Sequence, residues 1–268
     1  MQIKKVGFYI LLSLIIIIWL SPVIWMGLES FMPYQSIISY EFSWDSISID
    51  NYKSLFQNAE FRTYLRNSMI ITTAGTAIAT LLGSFSALYS VRSKKFSKYF
   101  VYWIVSSRII PPAAFLLPFY LMFQHLGMLN SISTLVLLGF ALNYSLVFWL
   151  MRSVFSQIPR EMEYSAIMDG ASNLRAFFDT TIRYSTPGLL FVSIFAGIFI
   201  WNEYLLASVL TIDSSSQPLT VLLAQSLSMI KTDWGMLFAI GTIQIIPVLL
   251  LIMITFTLLR KKNLMYQK

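Results

Sequence analysis

Six stretches of this chain are apolar for long enough to cross a lipid bilayer as helices: Phe8 to Leu28, Asn67 to Tyr89, Phe100 to Phe123, Thr134 to Met151, Gly188 to Leu210 and Trp234 to Leu259. About 30 Å of hydrocarbon takes roughly 20 residues at 1.5 Å each, so these runs have spanning length. Inside lipid no water satisfies a backbone N–H or C=O, which leaves helices as the way to use such runs. The expectation is an all-α, polytopic membrane helix bundle with six transmembrane helices. Composition agrees, because 268 residues that are 57% apolar and 12% charged cannot clothe a soluble domain in an ordinary polar surface.

The formal charge of +7 invites a nucleic-acid reading. Its placement argues otherwise. Counting from an internal N-terminus, the inner segments carry Lys4, Lys5, Arg92, Lys94, Lys95, Lys98, Arg152, Arg160, Arg175, Arg183, Arg260, Lys261, Lys262 and Lys268. The outer segments carry Lys53, Arg62, Arg66 and Lys231. That asymmetry is the positive-inside pattern, and it predicts both termini in the cytoplasm of a bacterial inner membrane protein. No nucleic-acid partner is needed to explain the charge. The first run follows two lysines as a secretory signal does, but no small-residue cleavage site follows Ser21 and Pro22, so it reads as a retained anchor. With no cysteine and a single histidine, His125, the chain offers no thiolate or multi-histidine metal site and no thiol nucleophile. Neither a catalytic group nor a metal site is expected. His125 reads as a surface residue of the Gln124 to Ser133 turn.

Residues Glu29 to Tyr64 are polar and acidic, as at Glu41, Asp45 and Asp50, with the interspersed aromatics Phe42, Trp44, Tyr52 and Phe56, and are expected outside. The third run contains Pro111, Pro112 and Pro118. Each proline lacks an N–H and clashes with the carbonyl four residues back, which predicts a kink near Ser107 and Arg108. Arg108 then lies roughly 12 Å into the membrane. It serves either to cap the orphaned carbonyls or to line a pathway.

The longest inner segment, Arg152 to Pro187, has the pattern of two short helices joined by a turn. Pro159 suits a first helical turn, and Glu161 and Glu163 suit its positive end. Asp169 and Gly170 stop that helix, Ser172 caps the next, and Leu174, Phe177, Phe178, Thr181 and Ile182 have the spacing of one face. Pro187 is expected to end the second helix, with Asp179 and Arg183 spaced for an ion pair. A hairpin of mixed charge suits a protein groove better than a bilayer surface, where Lys and Arg dominate.

The run Ile158 to Ser172 resembles the EAA loop of type I ABC importer permeases, and more closely the carbohydrate-uptake subfamily. Asn51 to Phe56, Asn67 and Ser68, the Arg108 to Pro118 prolines with Leu126 and Gly127, Trp201 to Leu205, and Asp233 to Gly235 extend the likeness over about 51–260. The resemblance implies the type I ABC importer permease fold and a loop coupled to an ATPase through Glu161, Glu163, Ala166, Asp169, Gly170 and Ala171. It implies a second homologous permease subunit, two ATPase subunits that bind ATP and Mg, and an extracytoplasmic substrate-binding protein. No cofactor belongs to this chain, whose remaining partner is membrane lipid. Tyr164, Ser165 and Arg183 depart from the family pattern. Three segments follow: 1–62 as the first helix with its external stretch, 63–262 as a transmembrane core with the coupling loop at 152–187, and 263–268 as a tail.

Arg108, Asn143, Trp201, Asn202, Glu203 and Tyr204 are the candidate pathway residues. Aromatic faces beside hydrogen-bonding groups suit a polyhydroxylated cargo, while Trp and Tyr at headgroup depth and Asn between helices also serve as anchors and glue. No glycine is followed by lysine, so there is no phosphate-cradling loop and the chain itself is not expected to be an enzyme. The expectation is a permease for a carbohydrate or polyol. The alternatives are a secondary transporter, which also uses broken helices, and an ABC permease for a non-sugar solute.

Overall fold

The computed structural model describes residues 2–39, 44–93, 98–227 and 232–266; Glu41, Phe42, Lys94, Lys95, Lys231 and Lys268 lie outside the described residues. Within these limits the secondary structure is helical, with no strand. The helices are α1 (Gln2–Glu29), α2 (Tyr34–Ile38), α3 (Asp50–Gln57), α4 (Ala59–Arg92), α5 (Lys98–Ser106), α6 (Leu116–His125), α7 (Ile132–Ser156), α8 (Glu161–Met168), α9 (Asn173–Phe177), α10 (Arg183–Trp201), α11 (Leu205–Leu210), α12 (Leu219–Leu227) and α13 (Trp234–Tyr266). Five continuous helical segments have spanning length and hydropathy, and α5 with α6 forms a sixth, broken one. His125 is exposed.

The third span breaks rather than kinks. Its two halves meet at 93°. Ile110 and Pro111 each precede a proline, whose ring disfavours helical geometry in the residue before it, and both are extended, with ψ of 122° and 138°. Two prolines in a row therefore convert the expected bend near Ser107 into a corner at residues 110–111. Pro118 falls in the first turn of α6, where a missing N–H costs nothing.

The fifth span also differs from the expected 188–210 run. It begins earlier, because a π turn over Phe178–Ile182 joins α9 to α10 and Pro187 lies inside α10 instead of ending a helix. The π turn shifts the hydrogen-bond ladder, and the Ser185 and Thr186 hydroxyls donate to the Ile182 carbonyl in the turn before the proline. It also moves the buried face to Ala176, Thr180, Thr181 and Ser185, leaving Leu174 and Phe178 exposed. Asp179 accordingly pairs with Arg175 at 3.4 Å, not with Arg183. At its other end the span stops early, at Trp201, where Asn202 turns its amide back to the Ile198 carbonyl.

Two compact units are distinguishable. One comprises Met1–Arg62 with Leu222–Pro247. Here Asn51 donates to the Ser30 and Met32 carbonyls, and Gly235 fits against Met32 O and Asn51, where a Cβ would approach to 2.7 Å. The other comprises Thr63–Val221 with Val248–Lys268. Its core joins α4, α5, α7 and α10 through Ala79, Ala87, Ile104, Val147, Phe148, Met151, Val192 and Ala196. Small residues let these helices touch: a Cβ on Gly83 would lie 2.7 Å from Val147, and one on Gly188 would lie 2.6 Å from Val154. At one end of this unit, Asn67 lies within 3.1 Å of the carbonyls of Ser214, Ser215 and Gln217. Asn130, at φ 55°, accepts from the Ile212 N–H and donates to Asp213. Hydrogen bonds from Ser215 and Asn130 hold the Asp213 carboxyl below the usual carboxylate range.

Gly83→Leu should separate α4 from α7 and destabilise the protein by about 1–3 kcal/mol, read as a lower thermal midpoint in detergent. Because the Asp213 pKa is lower folded than unfolded, its contribution is present above the ordinary carboxylate pKa and is lost as pH falls through the folded value. Acid titration of thermal stability should show that loss, and Asp213→Asn should flatten it.

Candidate functional site

The hairpin at residues 159–182 forms as its local sequence dictates. Glu161 and Glu163 occupy the first turn of α8, Asp169 caps its end, and Gly170 takes φ +93°, which L side chains rarely adopt. The Ser172 hydroxyl accepts the Arg175 N–H and starts α9. Arginines then tie the hairpin to the last turn of α4. Arg92 forms an ion pair with Glu163, donates to the Thr181 hydroxyl at 2.7 Å, and lies 5.3 Å from the Phe177 ring centroid. Thr181 in turn donates to Glu163. Arg152 reaches Ser90 at 3.0 Å, and Arg160 reaches the Val91 carbonyl at 3.3 Å.

This clamp divides the expected loop residues. Glu163 is half-buried and committed within the chain, and Ala166 and Ala171 are half-buried, whereas Glu161, Asp169 and Gly170 are exposed. Beside them Tyr164, Met168, Leu174 and Phe178 stand out at 60%, 86%, 70% and 55% exposure. An apolar surface held on a half-buried ion pair can transmit a push, because it moves with α4 instead of swinging on its own. Arg92 and Thr181 were not foreseen as functional. In the sequence Arg92 is one positive charge among many, and its pairing with a residue 71 positions away has no local signature.

The pathway candidates divide as well. Arg108, Asn143 and Glu203 line one cavity of about 420 Å³, walled by Phe115, Phe119 and Phe199. Arg108 lies 5.1 Å from the Phe199 ring centroid and reaches the Leu142 carbonyl of α7 at 3.5 Å, so it crosses to neighbouring helices and does not cap its own broken strand of carbonyls. Asn143 is buried and donates to Gly139 O within its own helix. The Glu203 carboxylate accepts the Leu206 N–H at 2.9 Å and so caps the start of α11. Trp201 is buried, while Asn202 and Tyr204 are exposed and do not line this cavity.

A second cavity of about 650 Å³ was not anticipated. Along α4 it is lined by Thr72, Thr76, Thr80 and Ser84, spaced four apart on one helical face, and it extends to Phe177 and Phe178 of the hairpin. The four hydroxyl oxygens are buried without a hydrogen-bond partner. The spacing was visible in the sequence, but hydroxyls in a membrane helix ordinarily bond the carbonyl one turn back, as Thr73 does with Met69. Which faces remained unpaired was not visible.

Comparison with known proteins follows this geometry. Residues 79–264 match the family described as binding-protein-dependent transport system inner membrane component. A diacetylchitobiose uptake system permease protein of Streptomyces coelicolor is 30% identical over 247 residues, covering 90% of this chain and 80% of that one. A bacterial ABC transporter that imports the acidic polysaccharide alginate contains a chain of the same fold, with a TM-score of 0.74 at 22% identity over 97% of this chain and 96% of that one. A bacterial alginate transporter crystallised with an alginate pentasaccharide-bound periplasmic protein gives 0.70 at 14% identity, covering 95% of this chain and 94% of that one.

Arg92→Met leaves Glu163 half-buried without its cation and should cost roughly 1.5–3 kcal/mol. Amide exchange over residues 161–182 should accelerate selectively, while exchange in the α4–α7 core stays unchanged.

Proposed function

Because the chain belongs to the family of binding-protein-dependent transport system inner membrane components, we propose that it is the permease subunit of an ABC importer for carbohydrate, driven through the hairpin at 159–187 by separate ATPase subunits. The observation that carries this reading is the pairing of an internal arginine clamp with an outward apolar surface on the same hairpin. A loop that only rested on lipid would not need its glutamate anchored to a transmembrane helix. Tyr164, Met168, Leu174 and Phe178, flanked by Glu161 and Asp169, suit a groove in a soluble partner. The basic residues Arg92, Arg152 and Arg160 gather at that end, which supports a cytoplasmic hairpin.

In this reading a second, homologous permease completes the membrane unit, and two ATPase subunits hold ATP and Mg and supply the hydrolysis. An external binding protein delivers the cargo. The carbohydrate assignment draws on the diacetylchitobiose permease relative. Within this chain it fits a cavity that offers a guanidinium, an amide and aromatic walls to a polyhydroxylated molecule. Family membership favours this over a secondary transporter, which would work without a motor.

Proline holds φ near −65°, so Gly170→Pro cannot keep the +93° turn that joins the two arms. In proteoliposomes with its ATPase, the variant should insert normally yet show hydrolysis uncoupled from uptake. Normal uptake with full ATPase stimulation would sink the coupling assignment.

A further inference from the structure

Near the C-terminal end of α1, within the unit formed by Met1–Arg62 and Leu222–Pro247, lies a cavity of about 380 Å³ that the transport reading does not use. Its walls include Trp25, Glu29, Met32, Ser36, Trp234 and Phe238. Glu29 is 7% exposed, and its Oε2 is wholly buried with no hydrogen-bond partner. The Ser30 hydroxyl donates to Gly27 O and shares a hydrogen bond with the Tyr52 hydroxyl, and the Asn51 amide donates to the Ser30 and Met32 carbonyls, so none of these serves Glu29. Glu29 takes part in none of the ion pairs among the described residues.

Position makes this carboxylate more demanding still. It is the last residue of a 28-residue helix, where the backbone dipole is negative and repels an anion. Burying a charge without a counter-charge costs several kcal/mol. Two features of the wall, the unpartnered carboxylate and the rings of Trp25, Trp234 and Phe238, point to the same remedy. A carboxylate at the base of an aromatic enclosure recognises a cation, through ring faces and a charge-assisted hydrogen bond. The unpartnered carboxylate calls for an N–H donor, which a primary ammonium supplies and a quaternary one does not.

We propose that this cavity takes the primary ammonium of a lipid headgroup, of the phosphatidylethanolamine class. The surroundings favour a lipid as its source. None of the apolar window of α1 is buried, and Ile24, Trp25 and Leu28 beside Glu29 are 55%, 58% and 41% exposed, giving acyl chains a surface to follow. Tryptophans at the cavity suit headgroup depth, where such rings concentrate. The proposal needs only a membrane-embedded chain and is independent of the cargo and the motor.

The test uses the full chain, purified with the subunits that accompany it and depleted of lipid. Phosphatidylethanolamine, phosphatidylcholine and phosphatidylglycerol with matched acyl chains, and free ethanolamine, are titrated while bound mass and thermal midpoint are followed. Phosphatidylethanolamine should bind about ten- to a hundredfold more tightly than the other lipids. Glu29→Gln, which keeps size and packing, should abolish that preference while leaving yield and elution profile intact. Equal binding of phosphatidylglycerol, or a preference that survives Glu29→Gln, would overturn the site. Saturation by free ethanolamine at the same concentrations would overturn the lipid source. A carbodiimide cross-link from Glu29 to a lysine of another chain, with no lipid preference, would assign the cavity to a protein partner and overturn the proposal.

Discussion

Every backbone polar group in the hydrocarbon must find a partner inside the protein, and the architecture of this chain follows from how its interruptions meet that requirement. Long regular helices meet it automatically. The interruptions need help, and each has its own form. Consecutive prolines make the corner at residues 110–111, with short 3₁₀ turns on both sides. Pro187 is accommodated inside α10, one turn after a π turn whose last carbonyl, that of Ile182, accepts two hydroxyls. The break after Trp201 is bridged by Asn202 on one side and by Glu203 on the other. Polar side chains in the spans thus repair backbone as well as line cavities. Glu203 does both, since it caps α11 and lines the cavity that holds Arg108.

Anchorage of the hairpin extends the same economy to force transfer. A short helix such as α8 has little stability of its own. The Arg92, Glu163 and Thr181 cluster supplies what the helix lacks, and Arg160 adds a bond to the Val91 carbonyl. Motion imposed on the exposed apolar surface would then pass to α4, which also carries Thr72, Thr76, Thr80 and Ser84 in the wall of the larger cavity. The hairpin's anchor at Arg92 and the cavity wall therefore lie on one continuous helix. That continuity gives the proposed coupling a physical route in place of mere proximity.

Close approach of helices depends on a few small residues. Gly83 and Gly188 let α4 and α10 meet the valines of α7, and a Cβ on Gly197 of α10 would lie 3.3 Å from the Thr76 Oγ1 of α4. With no water to drive the helices together, shape and dispersion must do so, and a single added methylene is felt. Asn67, on α4, and Asn130 play the corresponding part for the following loop, each gathering several backbone groups of residues 211–217.

Much of this was legible in the sequence, because the signals are local. Apolar run length determined the number and class of the spans, Gly170 and Ser172 marked the hairpin turn, and the order of motifs identified the family. The same local rules misjudged Pro187 and the Asp179 partner, since a π turn changes helical phase without leaving a signature in residue type. Pairings between distant positions lay beyond such rules altogether: Arg92 with Glu163, Arg108 against Phe199, the shared cavity of Arg108, Asn143 and Glu203, and the unpartnered Glu29. Helices and turns are set by neighbours within one or two turns, which the chain order contains. Which charge meets which, and which hydroxyl or carboxylate is left unpaired, depends on how those helices pack, and only the tertiary structure decided it.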